Sequence, residues 1–137
     1  MSFDELPGDC MSDIAWAIIL GFTILSVKHT VADYFLQTPY QVFNKGIYGH
    51  PGGLLHSGIH VALTVPVFLV LPPPSLLFAV MILAGEYLVH YHVDWLKEQV
   101  NKSRGWNPNV PAFWRSFGVD QLAHTLTYIT IVYLLAR

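Results

Sequence analysis

Four apolar stretches divide the chain, at about residues 14–36, 54–71, 75–96 and 116–135. Each is near the roughly 20 residues a helix needs to cross the hydrocarbon of a bilayer, and none shows the strict alternation of a half-buried strand. In lipid, every backbone polar group must be satisfied within its own segment, so the pattern predicts helices. The expected fold is all-α: a polytopic transmembrane four-helix bundle made of two helical hairpins, preceded by an acidic tail over residues 1–13. Pro39 follows the first stretch as a terminator, Pro66 predicts a kink within the second, and Pro72, Pro73 and Pro74 predict a tight turn. Ser75 suits the N-cap of the third helix, and Lys97, Glu98 and Lys102 mark its exit into water. The segments after the first and third stretches, about 37–53 and 97–115, read as longer polar loops. Gly21, Gly58 and Gly85 read as points of close helix packing.

Composition narrows the class. The 137 residues are 53% hydrophobic and 12% charged, about half the charge of an ordinary soluble domain, which argues against a freely soluble globule. A net charge of -2 argues against nucleic acid as a partner, since that asks for a basic stripe. One cysteine, Cys10, can form neither an intramolecular disulfide nor a thiolate metal site. The amino terminus is acidic where a secretory signal needs basic residues, so the first apolar stretch is read as retained. Lys45, Lys97, Lys102, Arg104 and Arg115 fall in the two longer loops, and the tail before the first stretch has no basic residue. Basic loops stay cytoplasmic, which places both long loops inside and both termini outside, with Arg137 as a counter-signal.

The polar residues inside the apolar stretches carry the chemistry. An ionisable side chain in a membrane helix costs about 2.5–3.5 kcal/mol on insertion scales and is a functional candidate by default. His29 and Asp33 close the first stretch and His56 and His60 open the second; Glu86, His90 and Asp94 close the third and Asp120 and His124 open the fourth. Each set is spaced i, i+4, which puts its members on one helical face. In an up-down-up-down bundle the four ends lie at one level, so the sets converge in a layer near the cytoplasmic face. The order of the sets also suggests an internal duplication.

Imidazole and carboxylate together suit zinc first, with manganese or iron as alternatives. The candidate ligands are His29, Asp33, His56, His60, His90, Asp94, Asp120 and His124, too many for one tetrahedral ion and suited to one or two divalent ions with orienting partners. Such a metal lowers the pKa of a bound water toward about 7 and directs it at an ester or phosphoester. Lys97 would stabilise the negative charge that develops, Glu86 would shuttle a proton, and Lys45, Lys97 and Arg115 would hold an anionic lipid head group. Gln37 and Gln121 read as hydrogen-bond partners of the layer, and His50 and His92 as surface residues. The expected function is a metal-dependent hydrolase of a membrane lipid or similar amphiphile. The alternatives are a metal-ion or proton transporter, and a subunit whose polar core is only hydrogen-bonded. A four-helix bundle encloses little volume, which leaves room for a homodimer that deepens the site.

The segments KHTVADYFLQTPYQVFNK, LLHSGIHVAL, HYHVDWLK and VDQLAHTL, in this order, resemble a family of small bacterial membrane proteins known as domain of unknown function 3307. The resemblance extends from about Leu25 to Leu135. The family's motifs correspond to His29, Asp33 and Gln37, to His56 and His60, to His90, Asp94 and Lys97, and to Asp120, Gln121 and His124. It implies a multi-pass protein of a bacterial inner membrane with its site in the polar layer, and no particular reaction.

Overall fold

The structure is a computed structural model that describes residues 8–137, with side chains described from Ser12 onward. Among the described residues the chain is all-α, without strands. Helix α1 (Gly8–Val31) runs into a π-helical turn, Ala32–Leu36, and a short α2 (Pro39–Asn44) follows. Helix α3 (Pro51–Ala62) passes into a 3-10 segment, Val65–Leu69; α4 (Leu76–Arg104) and α5 (Pro111–Ala136) complete the chain. Helix α4 packs between α3 and α5, α1 packs on α5, and the 3-10 segment after α3 reaches back to α1.

Several boundaries differ from the sequence pattern for local reasons. The charges Lys97, Glu98 and Lys102 leave the apolar region without ending the helix, which continues to Gly105, at φ 65°. There Trp106 N donates to Asn101 O at 2.8 Å and Gly105 N to Lys102 O at 3.3 Å, the paired closure that a left-handed glycine permits. Helix α5 begins at Pro111, with proline in the first turn where no donor is missed. Together these shorten the expected loop 97–115 to a few residues. The first loop contains α2, started by Thr38-Pro39 with Thr38 N donating to Gln41 Oε1 at 2.9 Å. Pro66 does interrupt the second stretch, as expected, and the chain tightens into the 3-10 segment around it. Within the expected acidic tail, residues 8–13 already belong to α1, while Asp4 and Glu5 lie outside the described residues. Of the three expected packing glycines only Gly21 is tightly apposed, where an added Cβ would stand 2.7 Å from Leu71 Cδ1; Gly58 and Gly85 have room.

The inside and outside of the molecule are reversed relative to a soluble protein. Large apolar side chains face outward, with Leu69 at 89% and Leu76 at 81% exposure, while Lys28, His56, His60, Glu86 and His90 are buried. Among the described residues, three helical segments are long and apolar enough to cross a membrane: Ser12–Leu36, Pro51–Leu69 and Leu76–Arg104. The buried apolar cluster of Leu25, Val67, Leu71, Ile82, Ile131, Val132 and Leu135 fills the interior on one side of the polar residues.

Candidate metal centre

The i, i+4 pairs turn inward. His60 is fully buried, His56, His90 and His124 are within 2% of it, and Asp94 and Asp120 are 4% exposed. Asp33 stands on the π-helical turn after α1, a widened turn type enriched at functional sites.

Asp33, His56, His60 and His90 each offer one ligand atom, and all four atoms lie within 4.8 Å of one another. Asp33 Oδ1 is 3.0 Å from His60 Nε2 and 3.4 Å from His56 Nε2. His56 Nε2 is 3.4 Å from His90 Nε2. Two ligand bonds of about 2.0–2.1 Å at a tetrahedral angle hold their donor atoms about 3.3–3.4 Å apart, so the spacings fit a common ion. Hydrogen bonding alone leaves the arrangement under-explained. His56 Nε2 also lies 3.1 Å from Asp94 Oδ2, and a single ring N–H can serve only one of these neighbours well.

His90, Asp94 and His124 form a second such group that shares His90 with the first. Asp94 joins the two, with Oδ2 3.7 Å from His90 Nε2 and Oδ1 3.5 Å from His124 Nε2. Three imidazoles with a carboxylate, or two with one, are donor sets that zinc, manganese and iron accept.

The remaining expected ligands lie outside both groups and touch their members. His29 Nε2 faces Asp33 Oδ2 at 3.2 Å and Gln121 Oε1 at 3.0 Å. Both neighbours are acceptors, so this nitrogen carries the proton, and Nδ1 accepts from the Tyr128 hydroxyl at 2.8 Å. His29 therefore holds Asp33 in place. Asp120 lies 3.6 Å from His124 Nε2 and 3.6 Å from Lys97 Nζ. Lys97 also stands 3.9 Å from Asp94 Oδ1 and 3.5 Å from Glu98. Gln37 holds His56 Nδ1 at 3.2 Å. Glu86 belongs to neither group: it is ion-paired with Lys28, whose ammonium also donates to the His60 carbonyl and lies over the Tyr128 ring. Lys45, expected at a lipid head group, is instead buried against Asp94 Oδ2 at 3.3 Å, carried there by α2. His50 caps α3 through Nδ1, which accepts from Gly52 N at 3.0 Å, and His92 is exposed.

Sequence reasoning missed Lys28 and Tyr128. Both signals were present: Lys28 is a charge inside an apolar stretch, and Tyr128 continues the Asp120, His124 face by one more turn. With them, Lys28, Lys45 and Lys97 stand among the carboxylates of Asp33, Glu86, Asp94 and Asp120.

The family described as protein of unknown function (DUF3307) matches residues 21–137 of the chain. No curated protein and no solved structure matches.

Proposed function

The chain belongs to the DUF3307 family, and we propose from its site that it is a membrane-embedded, metal-dependent hydrolase of a lipid or another amphiphilic ester or phosphoester. The observation that carries this reading is the meeting of Asp33, His56, His60 and His90 within 4.8 Å, inside a molecule whose outer surface is apolar. Asp33, His56, His60 and His90 would hold one ion; Asp94 and His124 offer a second position, and His90 Nε2, with one lone pair, would ligate at one of the two positions at a time. Bound there, a divalent ion supplies Lewis acidity toward a carbonyl or phosphoryl oxygen and activates water. His29 positions Asp33, and Asp120 positions His124 and Lys97. Lys97 offsets negative charge on the substrate. Glu86, paired with Lys28, is given no part in proton transfer.

In this reading α1, α3 with its 3-10 segment, α4 and α5 form a four-helix transmembrane bundle with α2 and the short α4–α5 connection on the cytoplasmic side. What supports a one-sided enzyme over a transporter is the apolar cluster of Leu25, Val67, Leu71, Ile82, Ile131 and Val132 beyond Lys28 and Glu86. An ion pathway would need polar groups there.

The test is elemental analysis of the detergent-purified protein beside an Asp94→Ala, His124→Ala double variant, followed by hydrolysis assays on phospholipid and acyl-ester substrates. One or two equivalents of zinc, manganese or iron, reduced in the variant together with hydrolysis, is the expected result. Failure to bind any of the three ions at stoichiometry after loading would overturn the proposal.

A further inference from the structure

Beside the candidate centre, α4 and α5 enclose a groove of about 470 Å³, within the roughly 300–1,000 Å³ of small-molecule sites. Val93, Leu96 and Val100 wall it from α4, and Val119 and Ala123 from α5. These positions recur at three- and four-residue steps, so each helix contributes one continuous stripe. Three charged side chains break the largely apolar lining at defined places. Lys97 and Asp120 face it at the level where they also touch Asp94 and His124. Arg115 lies one turn nearer the loop, on the same side as Trp106. The other end, at Val93 and Ala123, points along the helices toward the apolar half of the molecule.

Charge decides what such a groove accepts. Lys97 is already shared among Asp94, Glu98 and Asp120. Among the described residues, no carboxylate lies within 4.0 Å of Arg115, which is exposed. A cation without a partner at the loop end, an apolar trough below it and the metal groups beside the midpoint match one kind of molecule in polarity and in order. We propose that the α4/α5 groove binds a lipid with an anionic phosphate head, the head on Arg115, one acyl chain along Val93, Val119 and Ala123, and the linkage between them against Lys97. The groove's binding of lipid stands on its own residues; its role as the seat of the substrate rests on the hydrolase reading above. There, water adds across the ester or phosphoester bond beside Lys97, giving an acid and an alcohol.

The experiment uses the full chain in phosphatidylcholine vesicles containing phosphatidic acid with a photoreactive group in its acyl chain, with photoreactive phosphatidylcholine as the comparison. Labelling from phosphatidic acid should concentrate on the groove stripes and exceed that from phosphatidylcholine. Ala123→Trp should remove groove labelling while leaving that of the outward-facing Leu126 and Ile129, which reports that the variant is folded. Arg115→Gln, a surface change, should lower the preference for the anionic probe by about fivefold, the effect of one basic residue near an anionic surface. Equal groove labelling by both lipids, or groove labelling unaffected by Ala123→Trp, would overturn the proposal. So would displacement of the probe by inorganic phosphate, which would make a free anion the ligand. Metal content measured on the same samples separates the two readings. Metal without selective labelling rejects the groove alone, and selective labelling without metal supports the groove while rejecting the hydrolase.

Discussion

A lysine and a glutamate buried together beneath a cluster of histidines neutralise each other. Lys28 is 5% exposed and Glu86 2%, so removing one leaves the other's charge in a medium that solvates it poorly. Lys28→Met is expected to destabilise the protein by about 3–5 kcal/mol, and the Lys28→Met, Glu86→Leu double variant to recover most of that. Thermal unfolding in detergent would show it, and a double variant no more stable than the single one would contradict it. His29 gives a second residue-scale test, because it touches Asp33 without joining either metal group. His29→Ala should weaken metal binding by about 10–100-fold, the usual effect of losing an orienting partner, whereas His60→Ala should abolish binding at that group. Competition with a chromophoric zinc chelator measures both. The candidate centre was legible at this scale because i, i+4 spacing fixes a shared face whatever the partner. Which face member falls within the two His/Asp groups was not legible: His29 and Asp120 carry the same spacing as His60 and Asp94. His29 stands beside them against Gln121 and Tyr128, and Asp120 against Lys97.

Among the elements, the long helices were readable from hydrophobic runs and prolines, and their ends were not. Lys97 and Glu98 resemble an end because polarity changes there, but a helix in water needs a geometric reason to stop, and that reason is Gly105. Helix α2 escaped the hydrophobic pattern because six residues make no periodicity, although Thr38-Pro39 followed by Gln41 is a start signal. Its consequence is large, since it brings Lys45 onto Asp94. The contact between α2 and α3 is tight at Gly52, where an added Cβ would stand 2.9 Å from the Tyr40 carbonyl oxygen. A backbone atom cannot swing aside as a side-chain end does. Gly52→Ala should therefore push α2 away from α3 and cost about 1–3 kcal/mol, loosening Lys45 from Asp94. Thermal unfolding gives the cost, and hydrogen exchange over residues 39–45 reports the displacement. Exchange there unchanged from the parent protein would mean that α2 is not held by this contact.

At the scale of the whole molecule, the outward apolar surface and inward charges suit a solvent that is itself apolar. Insertion then has a direction, and α4 is the element that reports it most simply. From Leu76 to Lys102 it rises through 26 steps of about 1.5 Å, or about 39 Å, more than the roughly 30 Å of the hydrocarbon core. A crossing α4 would bring its two ends out on opposite sides. Leu76 is 81% exposed beside the proline turn, and Lys102 lies with Arg104 and Arg115 on the basic side that the positive-inside rule assigns to the cytoplasm. In a Cys10→Ser background, Leu76→Cys in right-side-out vesicles should react with a membrane-impermeant maleimide, and Lys102→Cys only after permeabilisation. The protein should stay in the membrane pellet through an alkaline carbonate wash. Labelling in the reverse order would invert the orientation and put the candidate centre near the outer face. Labelling of both positions in intact vesicles, with release by carbonate, would mean that α4 lies along the membrane surface, and the apolar surface would then need another partner than lipid.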